Sequence, residues 1–248
     1  MKIIVSPAKK MNVNTDMYPV NRLPRFYDKA IQIKEYMQNL TFEEAKKLWG
    51  CNEKIAELNF RRFQEMDLNK NLTPAIISYE GIQYQYMMPS VFTEKALGYV
   101  EEHLRILSGF YGVLSPFDGV VPYRLEMQAR AAIDKTKDLY DFWGDLLYRA
   151  VMDKDRTVVN LASKEYSVCI EKYLQKEDIF LTCVFGEWKN GKVIQKGTFA
   201  KMARGEMVRF MAEEGIENVE EIKNFHELRY KFDESLSTNR EYIFIKED

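Results

Sequence analysis

Ser6, Lys9 and Lys10 stand directly after a short apolar run near the start of the chain. Tyr123, Arg124 and Glu126 close a segment rich in glycine and aromatic residues, and Asn160, Ser163 and Glu165 lie at the end of another apolar run and just beyond it. Lys201 and Arg204 sit on a late helical stretch. Carboxylates, lysines and a phenol can carry acid–base chemistry if they converge, and the cations would suit an anionic substrate such as a nucleotide or a damaged base. Plainer readings stand beside this one. Arg124 and Glu126 can be a buried structural ion pair, Ser6 to Lys10 an exposed turn, and Lys201 and Arg204 a solvated helix face. No nucleophile elbow, P-loop or dinucleotide fingerprint is present, so these residues name no reaction class.

A second pattern, LTFEEAKKLWGCNEKIAELNFRRF at 40–63, carries a different chemistry. Thr41 followed by Glu44 is a capping box and predicts a helix start; Gly50 predicts its end. Asn52 then predicts the cap of a second helix whose face carries Ile55 and Leu58 and, one turn over, Ala56, Phe60 and Phe63. The spacing of Leu48, Gly50, Cys51, Ile55 and Ala56 resembles a helix-hairpin-helix over about 41–65. In such a hairpin, backbone N–H groups at the second helix's N-terminus grip a phosphate without reading a base, and Lys54 could add a charged contact. A glycine-turned helix pair is also common for packing alone. The second glycine of many such hairpins is replaced by Asn52, and the helices are near charge-neutral, with five acidic and five basic residues over 40–66.

The elements that must position these groups follow from periodicity. Residues 2–5, 75–79, 157–161 and 179–185 are short β-branched runs that predict buried strands. Ligands of sheets with crossover helices sit beyond strand ends, which places Ser6, Lys9 and Lys10 at such an end. Residues 107–127, LSGFYGVLSPFDGVVPYRLEM, predict a short helix, a sharp turn and an extended exit. Helices are expected over 28–39, from Thr93 through a partly exposed His103, after Met127 with Ala129, Ala131, Ala132 and Ile133, and from a Thr198 cap to Gly215. Leu139, Phe142, Trp143, Leu146, Leu147 and Ala150 form a core-facing helical stripe. Asn190-Gly191 predicts a hairpin to a strand at 192–194. Asn218 caps a short helix, and 230–232 with 242–245 form a last strand pair. No repeat or linker divides the chain, so one domain over 1–248 is expected.

Composition narrows the classes. Net charge is −2 and pI about 5.9, so average electrostatics do not announce a nucleic-acid binder. The balance is uneven: six basic against two acidic residues over 187–209, then eleven acidic against five basic over 210–248. Three separated cysteines (Cys51, Cys169, Cys183) and two histidines (His103, His226) argue against a zinc site or a disulfide scaffold; no cofactor is expected, and iron would find poor ligands. No apolar run approaches a membrane span and the N-terminus is too short in apolar residues for a signal peptide, so a cytoplasmic chain is expected. No exposed apolar stripe stands out, which points to a monomer.

Taken in order, SPAKK, LSGFYGVLSPFDGVVPYRLEM, YDFWGDLL, NLASKEY, WKNGK, KMARGEMVRFM and YKFDESLS with EYIFIK resemble the YaaA peroxide-stress family from the first residues to nearly the last. The resemblance implies a single α/β domain, a mixed sheet surrounded by helices known as the cantaloupe fold. It implies a cytoplasmic protein of the oxidative-stress response to hydrogen peroxide. It further implies double-stranded or structured DNA as partner, bound through a helix-hairpin-helix beside a basic cleft, and a role in iron homeostasis that limits iron-dependent damage. On that reading Gly50, Cys51, Asn52, Lys54, Lys9, Lys10, Lys201 and Arg204 face DNA. Ser6, Tyr123, Arg124, Glu126, Asn160, Ser163 and Glu165 form the polar cleft. Arg229 stands where the family tends to have glycine.

Overall fold

The β-branched runs assemble into an eight-stranded mixed sheet, the centre of a single α/β domain, in a computed structural model that describes residues 1–247. The strands are β1 (Lys2–Val5), β2 (Leu104–Ser108), β3 (Gly112–Leu114), β4 (Thr157–Leu161), β5 (Ile179–Lys189), β6 (Lys192–Ile194), β7 (Tyr230–Phe232) and β8 (Glu241–Lys246). Their order is β7-β8-β5-β4-β1-β2-β3, with β6 folded back on β5. β2, β1, β4, β5 and β8 run parallel; β3, β6 and β7 pair antiparallel with their neighbours. Parallel strands are covered on both faces, which is why β1 reads as an unbroken apolar run: Ile3, Ile4 and Val5 are fully buried.

Helices flank the sheet: α1 (Tyr27–Gln38), α2 (Phe42–Trp49), α3 (Glu53–Glu65), α4 (Ala75–Ser78), α5 (Ile82–Met87), α6 (Glu94–His103), α7 (Leu139–Trp143), α8 (Leu146–Val151), α9 (Lys164–Glu171) and α10 (Gly197–Glu214). The Thr41/Glu44 capping box forms, Gly50 ends α2 at φ 54°, and the Asn52 side chain accepts from Ile55 N–H to start α3. Phe42 meets Phe60 edge-on at 5.6 Å and Trp49 stacks on Phe63 at 6.1 Å, so the two helices close on an aromatic seam. Asn190 (φ 51°) and Gly191 (φ 73°) turn β5 into β6 as their dipeptide predicts.

Several expectations change. The central segment opens as the hairpin β2–β3 instead of a helix, because the Ser108 hydroxyl accepts from the N–H groups of Phe110 and Tyr111 and holds the turn. Residues 75–78 form one helical turn, not a strand. Ala75 and Ile76 donate their N–H groups to the carbonyls of Asp118 and Pro116, and of the expected strand only Tyr79 pairs, with Met11. Residues 128–138 are not helical despite their alanines; Ala129 N–H closes a turn on Glu126, and Asp134 takes φ 53°. Helix α10 starts at Gly197 with Lys196 at its cap, so Thr198 lies inside it. His103 is buried, not partly exposed; its Nδ1 donates to the Met1 carbonyl at 2.9 Å. On α3 the buried face is Ala56, Asn59 and Phe63, while Leu58 is exposed.

The chain leaves β1 for β2 and β3 on one side, then returns to β4 on the other side of β1. The gap beyond the C-terminal ends of β1 and β4 is therefore the topological switch point, where open parallel sheets bind ligands.

Candidate functional site

A cavity of about 390 Å³ opens at that switch point, a size that suits a small ligand. After β1 the chain turns at Ser6, and after β4 it caps α9 at Ser163. The two turns are tied together: Ser163 N–H donates to Ser6 Oγ at 2.8 Å and the two hydroxyls lie 3.1 Å apart. Tyr84 of α5 donates to the Ser6 carbonyl at 2.9 Å and supports the first turn from below. Ser6, Lys9, Lys10, Tyr123, Arg124, Glu126, Ser163, Glu165, Lys201 and Arg204, ten of the sequence-predicted residues, all line this one cavity.

Arg124 and Glu126 form both things the sequence offered, an ion pair and a wall of the cleft. Arg124 Nη2 lies 2.9 Å from Glu126 Oε1, and Lys9 Nζ lies 3.0 Å from the same oxygen. Arg124 Nε is buried without a hydrogen-bond partner. Lys10 pairs with Glu80 at 2.6 Å, which holds that carboxyl below its usual range. Burial raises the Glu165 carboxyl; the N–H of Gln128 offsets this in part, and the nearby Glu126 adds to it. The pocket thus holds one carboxylate contacted by two cations, Glu126, and one carboxyl raised by burial, Glu165. Tyr123 is buried and pushed up to about 12 by desolvation, its hydroxyl bonded to Ser108 Oγ at 2.6 Å and Tyr79 at 2.8 Å. It is a pocket wall held in a hydroxyl chain, not a phenol poised to ionise.

Arg204 has no ionic partner among the described residues, and its Nε is buried without a hydrogen bond. Burial lowers its pKa, with no neighbouring carboxylate to offset that. Lys201 is exposed and likewise unpaired among the described residues. Asn160 does not join this cavity. Its side chain donates to Thr182 Oγ1 at 3.2 Å and accepts from Ala162 N–H at 2.9 Å, and it lines the neighbouring cavity over the sheet.

A second cavity, about 650 Å³, adjoins the first and shares Lys9, Arg124 and Glu126 with it. Its far wall is the turn of the helix pair, with Lys47, Trp49 and Gly50, and the exit segment adds Arg130. Cys51, Asn52 and Lys54 stand on the outer side of the turn and line none of these cavities; Asn52 and Lys54 are exposed. Glu53 pairs with Lys46 at 3.0 Å on the same turn, so the turn itself carries little net positive charge.

Gln83, Tyr84, Lys47 and Arg130 belong to these walls and were not singled out by sequence. Helix α5 has no side-chain cap and spans only six residues, so no periodic signal marked Gln83 or Tyr84. Among the described residues no three His, Cys, Asp or Glu side chains gather to hold a metal ion, and no helix is long and apolar enough to cross a membrane.

Comparison with known proteins agrees over nearly the whole chain. It is 55% identical over 244 residues to a UPF0246 protein of Agathobacter rectalis, covering 98% of both chains. It is 53% identical over 246 residues to a UPF0246 protein of Lachnoclostridium phytofermentans, covering 99% of this chain and 96% of that one. It is 52% identical over 246 residues to a UPF0246 protein of Desulfitobacterium hafniense, covering 99% and 98%. A family model described as peroxide stress protein YaaA matches residues 1–236, so this chain, with its switch-point pocket and adjoining helix pair, belongs to the YaaA peroxide stress protein family.

Proposed function

We propose that this protein acts in the cytoplasm during peroxide stress by binding DNA without sequence preference, holding phosphates along its groove and limiting iron-dependent damage. One observation carries this reading. The cavity at the helix-pair turn and the cavity at the switch point share Lys9, Arg124 and Glu126, so one groove runs from Gly50 and Lys47 past Arg130 to Lys201 and Arg204. Lys47, Arg130, Lys201 and Arg204 have no ionic partner among the described residues, which leaves them free for phosphate. The turn at Gly50–Lys54 serves as one edge, through its N–H groups and Lys54. With Glu53 beside it, the turn contributes less than the groove cations.

Fluorescence anisotropy of labelled duplex across a salt series tests this. Lys47→Glu with Arg130→Glu removes two phosphate contacts, so the slope of log K against log salt falls by about 1.8, at ~0.9 per contact. Native protein that binds neither duplex nor single-stranded DNA, or binds with no salt dependence, sinks the proposal.

The switch-point position and the raised Glu165 carboxyl in the same pocket favour a second reading, an enzyme acting on an anionic small molecule, nucleotide or damaged base. Nucleoside monophosphates that raise the melting temperature of native protein but not of a Glu126→Gln variant would select it. Absence of any such shift would remove it.

A further inference from the structure

Beyond Arg204 the groove does not end. A third cavity, about 820 Å³, lies over strands β4 and β5, and Arg204 lines both it and the switch-point pocket. Its floor carries Asn160, Thr182, Phe180 and Val184, and its far rim carries Lys176 and Arg240. Both of these are exposed, and neither has an ionic partner among the described residues. Of the acidic residues of this cavity, Glu171 pairs with Lys164 and accepts from Ser167, Asp178 pairs with Arg156 at 2.6 Å, and Glu241, exposed beside Arg240, has no ionic partner among the described residues. The cations left over line one path: Lys47 and Arg130, then Lys201 and Arg204, then Lys176 and Arg240.

The middle of this path is too small for a duplex. A pocket of about 390 Å³ has the dimensions of one small ligand, so a base can enter it only when unpaired or extruded from its helix. Tyr84 and Tyr166 are largely buried in its walls and shape it, while Arg204 stands at its junction with the third cavity, where the next phosphate would lie.

We infer that the groove takes a single-stranded phosphodiester chain, one nucleotide seated in the switch-point pocket, with the strand continuing past Arg204 across the sheet to Lys176 and Arg240. This rests on the nucleic-acid reading above and adds to it the form of the ligand and a surface that lies away from the helix pair. It makes affinity depend on strand length, because a short oligonucleotide fills the pocket without reaching the rim.

The test is anisotropy of labelled oligothymidylates of about 4 and about 12 nucleotides, and of a duplex, each across salt, with site sizes of this order typical for single-strand grooves. Native protein is expected to bind the longer strand at least about tenfold more tightly than the shorter one, and more tightly than the duplex. Lys176→Glu with Arg240→Glu is expected to remove that length advantage. It should flatten the salt slope for the longer strand by about 1.4, at ~0.7 per single-strand contact, and leave the shorter strand unchanged. Both side chains are exposed and unpaired among the described residues, so an unchanged thermal melt is expected and confirms that the variant folds. If this variant binds both strands as native does, the inference falls. If duplex binding is lost in Lys47→Glu with Arg130→Glu while the rim variant behaves as native throughout, the inference falls and the DNA reading stands. If native protein binds neither strand nor duplex, both fall.

Discussion

Replacing Gly205 by alanine adds one methyl group to helix α10 where it crosses α5. That methyl carbon would stand 2.1 Å from the Gln83 carbonyl oxygen, 2.9 Å from Met87 N and 3.0 Å from Tyr86 Cβ. The nearest atoms are backbone, so relief requires α5 to move by about 1 Å or more rather than a side chain to turn. Overpacking of this kind costs about 1–3 kcal/mol and at times more, against a gain of about 1 kcal/mol from alanine's helix propensity. Gly98, in α6, has nothing within 4 Å of its would-be methyl group, so there the propensity gain stands alone. The same substitution therefore has opposite signs at the two sites. For a chain of this size about 1 kcal/mol moves the melting temperature by roughly 2–4 °C. Gly98→Ala should melt about 2–4 °C above native, and Gly205→Ala several degrees below it. Thermal unfolding followed by circular dichroism reads both. Gly205→Ala melting at or above native, in step with Gly98→Ala, would refute the close-contact argument. Because α5 supplies Gln83 and Tyr84 to the switch-point pocket, Gly205→Ala should also weaken ligand binding there by more than its stability loss explains.

Two further outcomes follow from charges and backbone. Asp118 is buried, and desolvation raises its carboxyl to about 6 from 3.8, with the Ser115 N–H and Arg22 offsetting part of the effect. Below about pH 4 it is protonated folded and unfolded alike; between about 4 and 6 only the folded chain keeps the proton, so this group's contribution to stability falls as pH rises through that window. The full cost, of order 3 kcal/mol, is present above it, and Asp118→Asn removes the dependence. Urea unfolding curves of native and variant that stay parallel from pH 4 to 7 would contradict this. Arg229 takes φ 62°, next to Leu228 at φ 54°, in the left-handed region that costs a branched-at-Cβ-or-larger residue about 1–2 kcal/mol. Arg229→Gly relieves that strain, less the extra unfolded-state freedom of glycine, and should raise the melting temperature by about 1–3 °C; a fall would show that the Arg229 side chain stabilises more than its backbone costs.

Arg229, set apart in the sequence as a departure from the family resemblance, takes a left-handed backbone that glycine adopts without strain, and the sequence alone does not give that reason. Elsewhere legibility follows how local the cause is. β1, β4 and β5 were readable because strands buried on both faces need continuous apolar runs, and Thr41 with Glu44 because a capping box closes within four residues. The turn at 75–78 was not readable: its β-branched residues suit a strand, and only carbonyls of Pro116 and Asp118, some forty residues on, make it helical. The alanines at 129, 131 and 132 have high helix propensity, yet that segment is irregular, begins with a turn on Glu126 and lines the second cavity through Ala129. Site residues were legible where they follow strand ends, as Ser6 and Ser163 do. Gln83, Tyr84, Lys47 and Arg130 come from elements whose placement is purely tertiary.

The irregular exit of the central segment is what joins the two cavities. A methyl group on Gly109 would lie 2.6 Å from the Leu125 carbonyl oxygen, so the β2–β3 turn and the exit chain lie backbone to backbone. The Trp143 indole N–H donates to the Gly109 carbonyl at 3.0 Å and the Tyr111 hydroxyl accepts from Val121 N–H at 3.2 Å, which fixes both strands of that contact. A chain pinned this closely cannot also coil into a helix, and its extended course carries Tyr123, Arg124 and Glu126 to one cavity and Arg130 to the next. A helix over 121–130 would have turned those side chains through about 100° per residue and scattered them around its axis. The absence of regular structure here is thus the condition for a continuous polar groove, and the glycine, proline and aromatic residues of 107–127 are the local means of enforcing it.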